Sequence, residues 1–102
     1  MAHEQMSQYR VGARAEYRAR DELLADPRFH TVLRMAGSKG PADLVAVGPD
    51  CIAFVQVKTT VKSKPNYKAE LEAFRAWPVP DNCIKEMRIE LRHRRAWVIM
   101  AV

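Results

Sequence analysis

The chain has 102 residues, 48% of them hydrophobic, which allows one compact core and little else. A domain of that size buries roughly 60–70% of the surface its unfolded form exposes, so global disorder is not expected. Seventeen Lys and Arg against twelve Asp and Glu leave a formal charge of +5, a balance that suits a polyanionic partner.

No run approaches the ~18 apolar residues of a membrane span. The polar stretch from Met1 to Arg10 carries no apolar segment ahead of a cleavage site, so export is not expected and a cytoplasmic protein is. Cys51 and Cys83 form neither a CxxC pair nor a set of four ligands. That excludes a structural zinc site and favours reduced thiols.

The first periodic segment runs from about Gln8 to Ala25. On a helical wheel Ala13, Tyr17 and Leu24 share one face with Leu23 on its flank, while Arg10, Arg14 and Arg18 form a separate stripe at i, i+4 spacing. Asp26-Pro27 ends the helix. Phe29 to Met35 reads as a strand, with Phe29, Thr31 and Leu33 on one side, and it stops at the loop Ala36-Gly37-Ser38-Lys39-Gly40-Pro41.

A hairpin follows, with strands over 43–47 and 51–58 around Gly48-Pro49-Asp50. Both runs are apolar almost throughout, as in strands covered on both faces. After a lysine-rich connection, Tyr67, Leu71, Phe74 and Trp77 mark a second amphipathic helix, which Pro78 and Pro80 stop. A last hairpin pairs 86–91 with 96–101 through His93-Arg94-Arg95. The expectation is a single α/β domain over residues 1–102, with a central mixed sheet of about five strands flanked by helices.

Polar residues at the ends of apolar strands need a reason. With a two-residue loop at Pro49-Asp50, facing positions sum to 99, which sets Asp43 opposite Gln56. Lys58 falls on the same face as Gln56. Glu16 lies at the edge of the first helix's buried side, and Gly12 leaves open space beside it. Oxygen donors of this kind suit a hard divalent cation, and a neighbouring lysine can stabilise charge developing on a phosphoryl group. The same spacing also fits a plain Asp43–Lys58 ion pair at a sheet end.

Three blocks, Gly12-x-x-x-Glu16, Ala36-Gly37-Ser38-Lys39-Gly40-Pro41-Ala42-Asp43-Leu44 and Gln56-Val57-Lys58-Thr59-Thr60, resemble the archaeal-type Holliday junction resolvases and their small bacterial and phage relatives. These belong to the PD-(D/E)xK, restriction-endonuclease-like nucleases. The resemblance spans about Arg10 to Thr60. It implies a helix followed by a mixed sheet flanked by helices, usually in a two-fold dimer. It implies that Glu16 and Asp43 help bind Mg²⁺ or Mn²⁺, that Lys58 is the catalytic lysine, and that Ser38 assists near the scissile phosphate.

The family's second acid is here Gln56, whose carbonyl oxygen can ligate a cation but brings no negative charge. Metal affinity is expected to fall unless Glu16 supplies the missing charge. The expected function is a metal-dependent endodeoxyribonuclease that resolves four-way DNA junctions by paired nicks as a homodimer. A nuclease acting on flaps or duplex, or a non-catalytic junction-binding module marked by Gln56, are the other readings.

Candidate phosphate contacts are Arg10, Arg14, Arg18, Lys39, Lys62 and Lys64. A solvated helix face and an ordinary exposed loop account for the same charges. Arg92, Arg94 and Arg95 at the last turn read as a solubilising tip as readily as a DNA contact. His3, His30 and His93 are scattered without ligand spacing, and Trp77 and Trp97 are assigned to packing.

Overall fold

The computed structural model describes residues 8–35 and 40–102 of the chain. It is a mixed α/β arrangement with the order α1 (Gln8–Leu24), β1 (Thr31–Arg34), β2 (Leu44–Val47), β3 (Ile52–Thr60), α2 (Lys68–Ala76), β4 (Cys83–Leu91) and β5 (Ala96–Ala101). The five strands form one sheet in sequence order. All neighbours are antiparallel except β3 and β4, which run parallel. Two antiparallel neighbours can share a tight turn, whereas a parallel pair needs a crossover, and α2 supplies it.

The parallel register sets Val55 beside Glu86 and Gln56 beside Met87, which separates the two faces of the sheet. On one face Leu44, Ala46, Ala53, Val55 and Val57 pack under Ala15, Ala19 and Leu23 of α1. On the other, Met87, Ile89 and Leu91 meet Tyr67 and Leu71 of the α2 region. The two helices therefore cover opposite faces. Among the described residues, no helix is long and apolar enough to cross a membrane.

The buried stripe of α1 differs from the expected one. Ala15, Ala19 and Leu23 are sealed, whereas Tyr17 and Leu24 are 45% and 46% exposed. Two alanines one turn apart let the helix backbone approach the sheet closely, which a stripe led by Tyr17 would prevent. Tyr17 instead lies between the guanidinium groups of Arg20 and Arg34, at 5.0 and 5.3 Å from its ring centre.

The first strand is shorter than expected. Phe29 is buried in the core ahead of the strand, and Leu33 is 56% exposed. The fourth begins three residues earlier than expected, at Cys83. Coverage of the β2–β3 hairpin is unequal: Ala53, Val55 and Val57 are buried, but Ile52 on the other face is exposed and Phe54 is partly so. Cys51 and Cys83 are free thiols.

The hairpin turn is tight. Gly48 N–H donates to Cys51 O at 2.8 Å, and every β2–β3 pair from Leu44–Val55 to Val47–Ile52 sums to 99. A Cβ on Gly48 would stand 1.7 Å from the carbonyl oxygen of Arg28. Gly48→Ala is therefore expected to cost about 1–3 kcal/mol or more, since the atom in the way is backbone. Urea denaturation would measure it. A variant as stable as the parent would mean that the 28–30 segment does not press on the turn.

Three charged residues of β4, Glu86, Arg88 and Glu90, are buried and paired. Arg88 is 4% exposed, and its Nε donates to Glu86 Oε1 at 2.9 Å, while Arg28 stands 3.5 Å from Glu86 Oε2. Glu90 takes Arg18 from α1 through two bonds, Nε to Oε2 at 2.5 Å and Nη2 to Oε1 at 2.6 Å. These pairings satisfy charges that would otherwise be costly to bury.

Candidate functional site

Asp43 sits where the β2–β3 ladder ends. Its N–H donates to Val55 O, and its own carbonyl accepts from Met35 N–H, both at 2.8 Å. The strand pairing stops one residue short of the expected Asp43–Gln56 pair. Beyond it β3 continues to Thr60, leaving the Val57 N–H with no β2 carbonyl opposite. The carboxylate takes that place: Asp43 Oδ2 accepts from Val57 N–H at 2.8 Å. Bonds to Val55 O and Val57 N thus bracket Gln56 and hold Asp43 level with it.

Gln56 is 8% exposed, and its Oε1 finds no hydrogen-bond partner among the described residues. Leaving a buried acceptor unmade costs about 1–3 kcal/mol, so a partner is expected. Lys58, two residues on, lies over the ring of Tyr67 at 5.7 Å. The register puts Gln56 beside Met87 and Lys58 beside Ile89, both on the face that α2 covers.

Glu16 stands on the opposite layer, on α1. Its Oε1 accepts from Arg34 Nε at 2.7 Å, and that bond holds the Arg34 pKa above its ordinary value. The expected convergence on one face is thus partial. Gln56 and Lys58 share a face, Glu16 is on the other, and Asp43 at the sheet end feels both.

The electrostatics of Asp43 record this. Burial pushes its pKa up, the Val57 N–H opposes the shift, Glu16 adds to it, and Lys58 and Arg34 counter it. A half-buried carboxyl raised in this way, with an acid and two bases in range, is a recurrent sign of a working site, although structural ion networks produce it too.

The donor set fits a hard cation. Asp43 brings an anionic oxygen and Gln56 a neutral, buried and unpartnered one. Glu16, on the other face from Gln56, is engaged by Arg34. Among the described residues no three His, Cys, Asp or Glu gather as a metal cage. The open space expected beside Gly12 is present, since a Cβ there would meet nothing within 4 Å. Neither a protein-family model nor a curated protein matches the chain.

The remaining candidates are dispersed. Ser38 and Lys39 lie outside the described residues, as does His3. Lys62 and Lys64 are exposed in the β3–α2 connection, and Arg10 and Arg14 are exposed on α1. Arg18 is not a simple member of a solvated stripe, because Glu90 fixes its guanidinium. The His30 ring meets its chain neighbour, with Nδ1 2.8 Å from Thr31 Oγ1.

Trp77 packs edge-on against Phe54 at 5.4 Å. A Cβ on Gly40 would come within 3.0 Å of its ring, so the chain just ahead of Asp43 rests on that indole. Sequence reasoning places Arg34 on the first strand but gives it no part in the site. The signal for it is an arginine that closes a short strand, four residues before Ser38.

Proposed function

We propose that this protein is a divalent-metal-dependent, structure-selective DNA endonuclease of the restriction-endonuclease-like fold, resolving four-way junctions by paired nicks as a homodimer. The observation that carries the reading is the orphaned Gln56 Oε1 held level with a raised, half-buried Asp43 carboxylate. The order of helix, antiparallel strands, helix and parallel strand supports the same reading. So does the net charge of +5.

Asp43 and Gln56 would hold Mg²⁺ or Mn²⁺, with Glu16 as a further oxygen donor once Arg34 moves aside. Such a cation, when bound, would supply Lewis-acid polarisation of a phosphoryl oxygen and would acidify water. The chain's own contribution is electrostatic and positional. The Val57 N–H fixes the rotamer of Asp43. Lys58, steadied over Tyr67, offers an ammonium for the charge that builds on the phosphoryl group. Two such domains related by a two-fold axis match the approximate symmetry of a junction and supply one site per nick.

A second reading has its own support. The 2.7 Å Glu16–Arg34 bond occupies an acid that the chemistry needs, as in a module that binds junctions without cutting them. Metal-dependent turnover on a synthetic junction separates the two.

Gln56→Glu tests the metal ligand itself. The variant is expected to bind Mg²⁺ about tenfold more tightly, because an anionic ligand replaces a neutral one. Without metal it is expected to melt lower, since a buried carboxylate then stands uncompensated. Titration calorimetry and thermal melts with and without Mg²⁺ read both effects. An unchanged metal affinity would remove Gln56 from the ligand set.

A further inference from the structure

Two adjoining hollows open along the flank of α1 that faces β4 and β5. The larger, about 450 Å³, is lined by Arg18, Glu90, Arg92, Arg95 and Trp97. The smaller, about 230 Å³, is lined by Val11, Arg14, Arg18 and Arg92. Arg18 and Arg92 belong to both, so the two form one groove. It brings together two arginine sets 74 or more residues apart in the chain, one on α1 and one on the β4–β5 turn.

Among the described residues one carboxylate lines the groove, and that one is engaged. Glu90 accepts two bonds from Arg18 and a third from Thr59 Oγ1 at 2.9 Å. Its pKa is lowered, chiefly by the bond from Arg18. Its role is to hold the Arg18 guanidinium in one orientation. Among the described residues no carboxylate forms an ion pair with Arg14, Arg92 or Arg95.

The turn is shaped to present two of its three arginines, Arg92 and Arg95. Arg92 N–H donates to Thr60 O at 3.0 Å, and Arg95 takes a left-handed backbone with φ of 50°. A non-glycine residue there is uncommon. The half-buried indole of Trp97 forms part of the wall. Glu16 faces β1 through Arg34, whereas Arg18, two residues on, faces β4 through Glu90. The groove and Glu16 therefore lie on opposite flanks of α1.

We infer that this groove binds the phosphodiester backbone of a DNA arm away from the cleavage point, with Arg14, Arg92 and Arg95 contacting phosphates beside a pre-positioned Arg18. The inference rests on the proposed nuclease reading and adds to it a second, non-catalytic contact surface. Guanidinium forks suit phosphate oxygens geometrically as well as by charge. Contacts of this kind fix the register of the protein on DNA without reading sequence.

The test uses the full chain and the triple variant Arg14→Ala, Arg92→Ala, Arg95→Gly. All three positions are exposed, and glycine suits the backbone at 95. Binding to a synthetic four-way junction is measured in EDTA over a range of salt, alongside a triple Arg→Lys variant. The expected result is a salt slope shallower by about 2–3, roughly 0.9 for each phosphate no longer neutralised, and affinity down about tenfold or more at low salt.

The lysine variant should keep most of the slope. An unaltered slope in a parent that binds and cuts would overturn the groove and leave the nuclease reading standing. Displacement of the junction by polyglutamate at equal charge concentration would overturn it in favour of a general polyanion surface. A parent that neither binds nor cuts any DNA would overturn both.

Discussion

Asp43→Asn is expected to abolish metal-dependent cleavage and, in the same variant, to raise the melting temperature of the metal-free protein at neutral pH. The loss of activity should reach about 10³-fold or more, since cation-assisted stabilisation of the transition state amounts to several kcal/mol. The gain in stability follows from the sign of the pKa shift. Burial raises the Asp43 carboxyl above its ordinary value, and the Val57 N–H only partly offsets this.

An unfolded Asp titrates near 3.9. As pH rises past that value the unfolded chain releases its proton first, so ionisation favours unfolding. The penalty accumulates until the folded carboxyl has also titrated, and it then persists to neutral pH. Asparagine removes the charge and can still accept the Val57 N–H. Melts in EDTA from pH 3 to 8 should show the two proteins coinciding below about pH 4, near that unfolded value, and the variant higher above it. A variant that melts lower at pH 7 would mean that Asp43 is held mainly by Lys58, as a structural ion pair.

Phe74→Ala should produce the largest loss of stability from a single side chain. Phe74 is fully buried, and truncating a core phenylalanine costs about 3–5 kcal/mol through lost transfer energy and the cavity left behind. Its neighbours make collapse difficult. Trp77 stands 6.2 Å away ring to ring, and Lys85 lies over its face at 5.8 Å. The same lysine ties down the end of α2 by donating to the carbonyls of Phe74, Arg75 and Trp77 at 2.8–2.9 Å.

Trp77 in turn supports Gly40, three residues before Asp43. The truncation should therefore weaken metal binding as well as stability. Urea unfolding and Mg²⁺ titration check the two parts. A stability loss below about 1 kcal/mol would show that the site collapses freely around the missing ring.

Much of this fold is legible in the sequence because its signals are local. Asp26-Pro27 ends α1, Gly48-Pro49-Asp50 sets a two-residue loop and with it the β2–β3 register, and Tyr67, Leu71 and Phe74 mark the face of α2. What escapes depends on neighbours far away in the chain. Periodicity alone assigns Tyr17 to the core, yet helix–sheet distance favours Ala15 and Ala19.

Glu86, Arg88 and Glu90 alternate with apolar residues like the solvent side of a strand. They are buried because Arg18 and Arg28, some 60 to 70 residues earlier, close over two of them. The placement of Asp43, Gln56 and Lys58 follows from the hairpin register. Glu16 does not follow, because its partner Arg34 is set by how α1 packs across β1. The groove shared by Arg14, Arg92 and Arg95 is invisible for the same reason, since only the sheet brings the last turn beside the first helix.

The most direct test of the account is cleavage of a synthetic immobile four-way junction, with matched linear duplex and flap, in Mg²⁺, Mn²⁺ or EDTA. Paired symmetrical nicks confined to the junction, lost in EDTA and in Asp43→Asn, are the predicted result. Binding to the junction with no cleavage under either metal would contradict it, and would make Gln56 and the Glu16–Arg34 pair the marks of a site that binds DNA without cutting it.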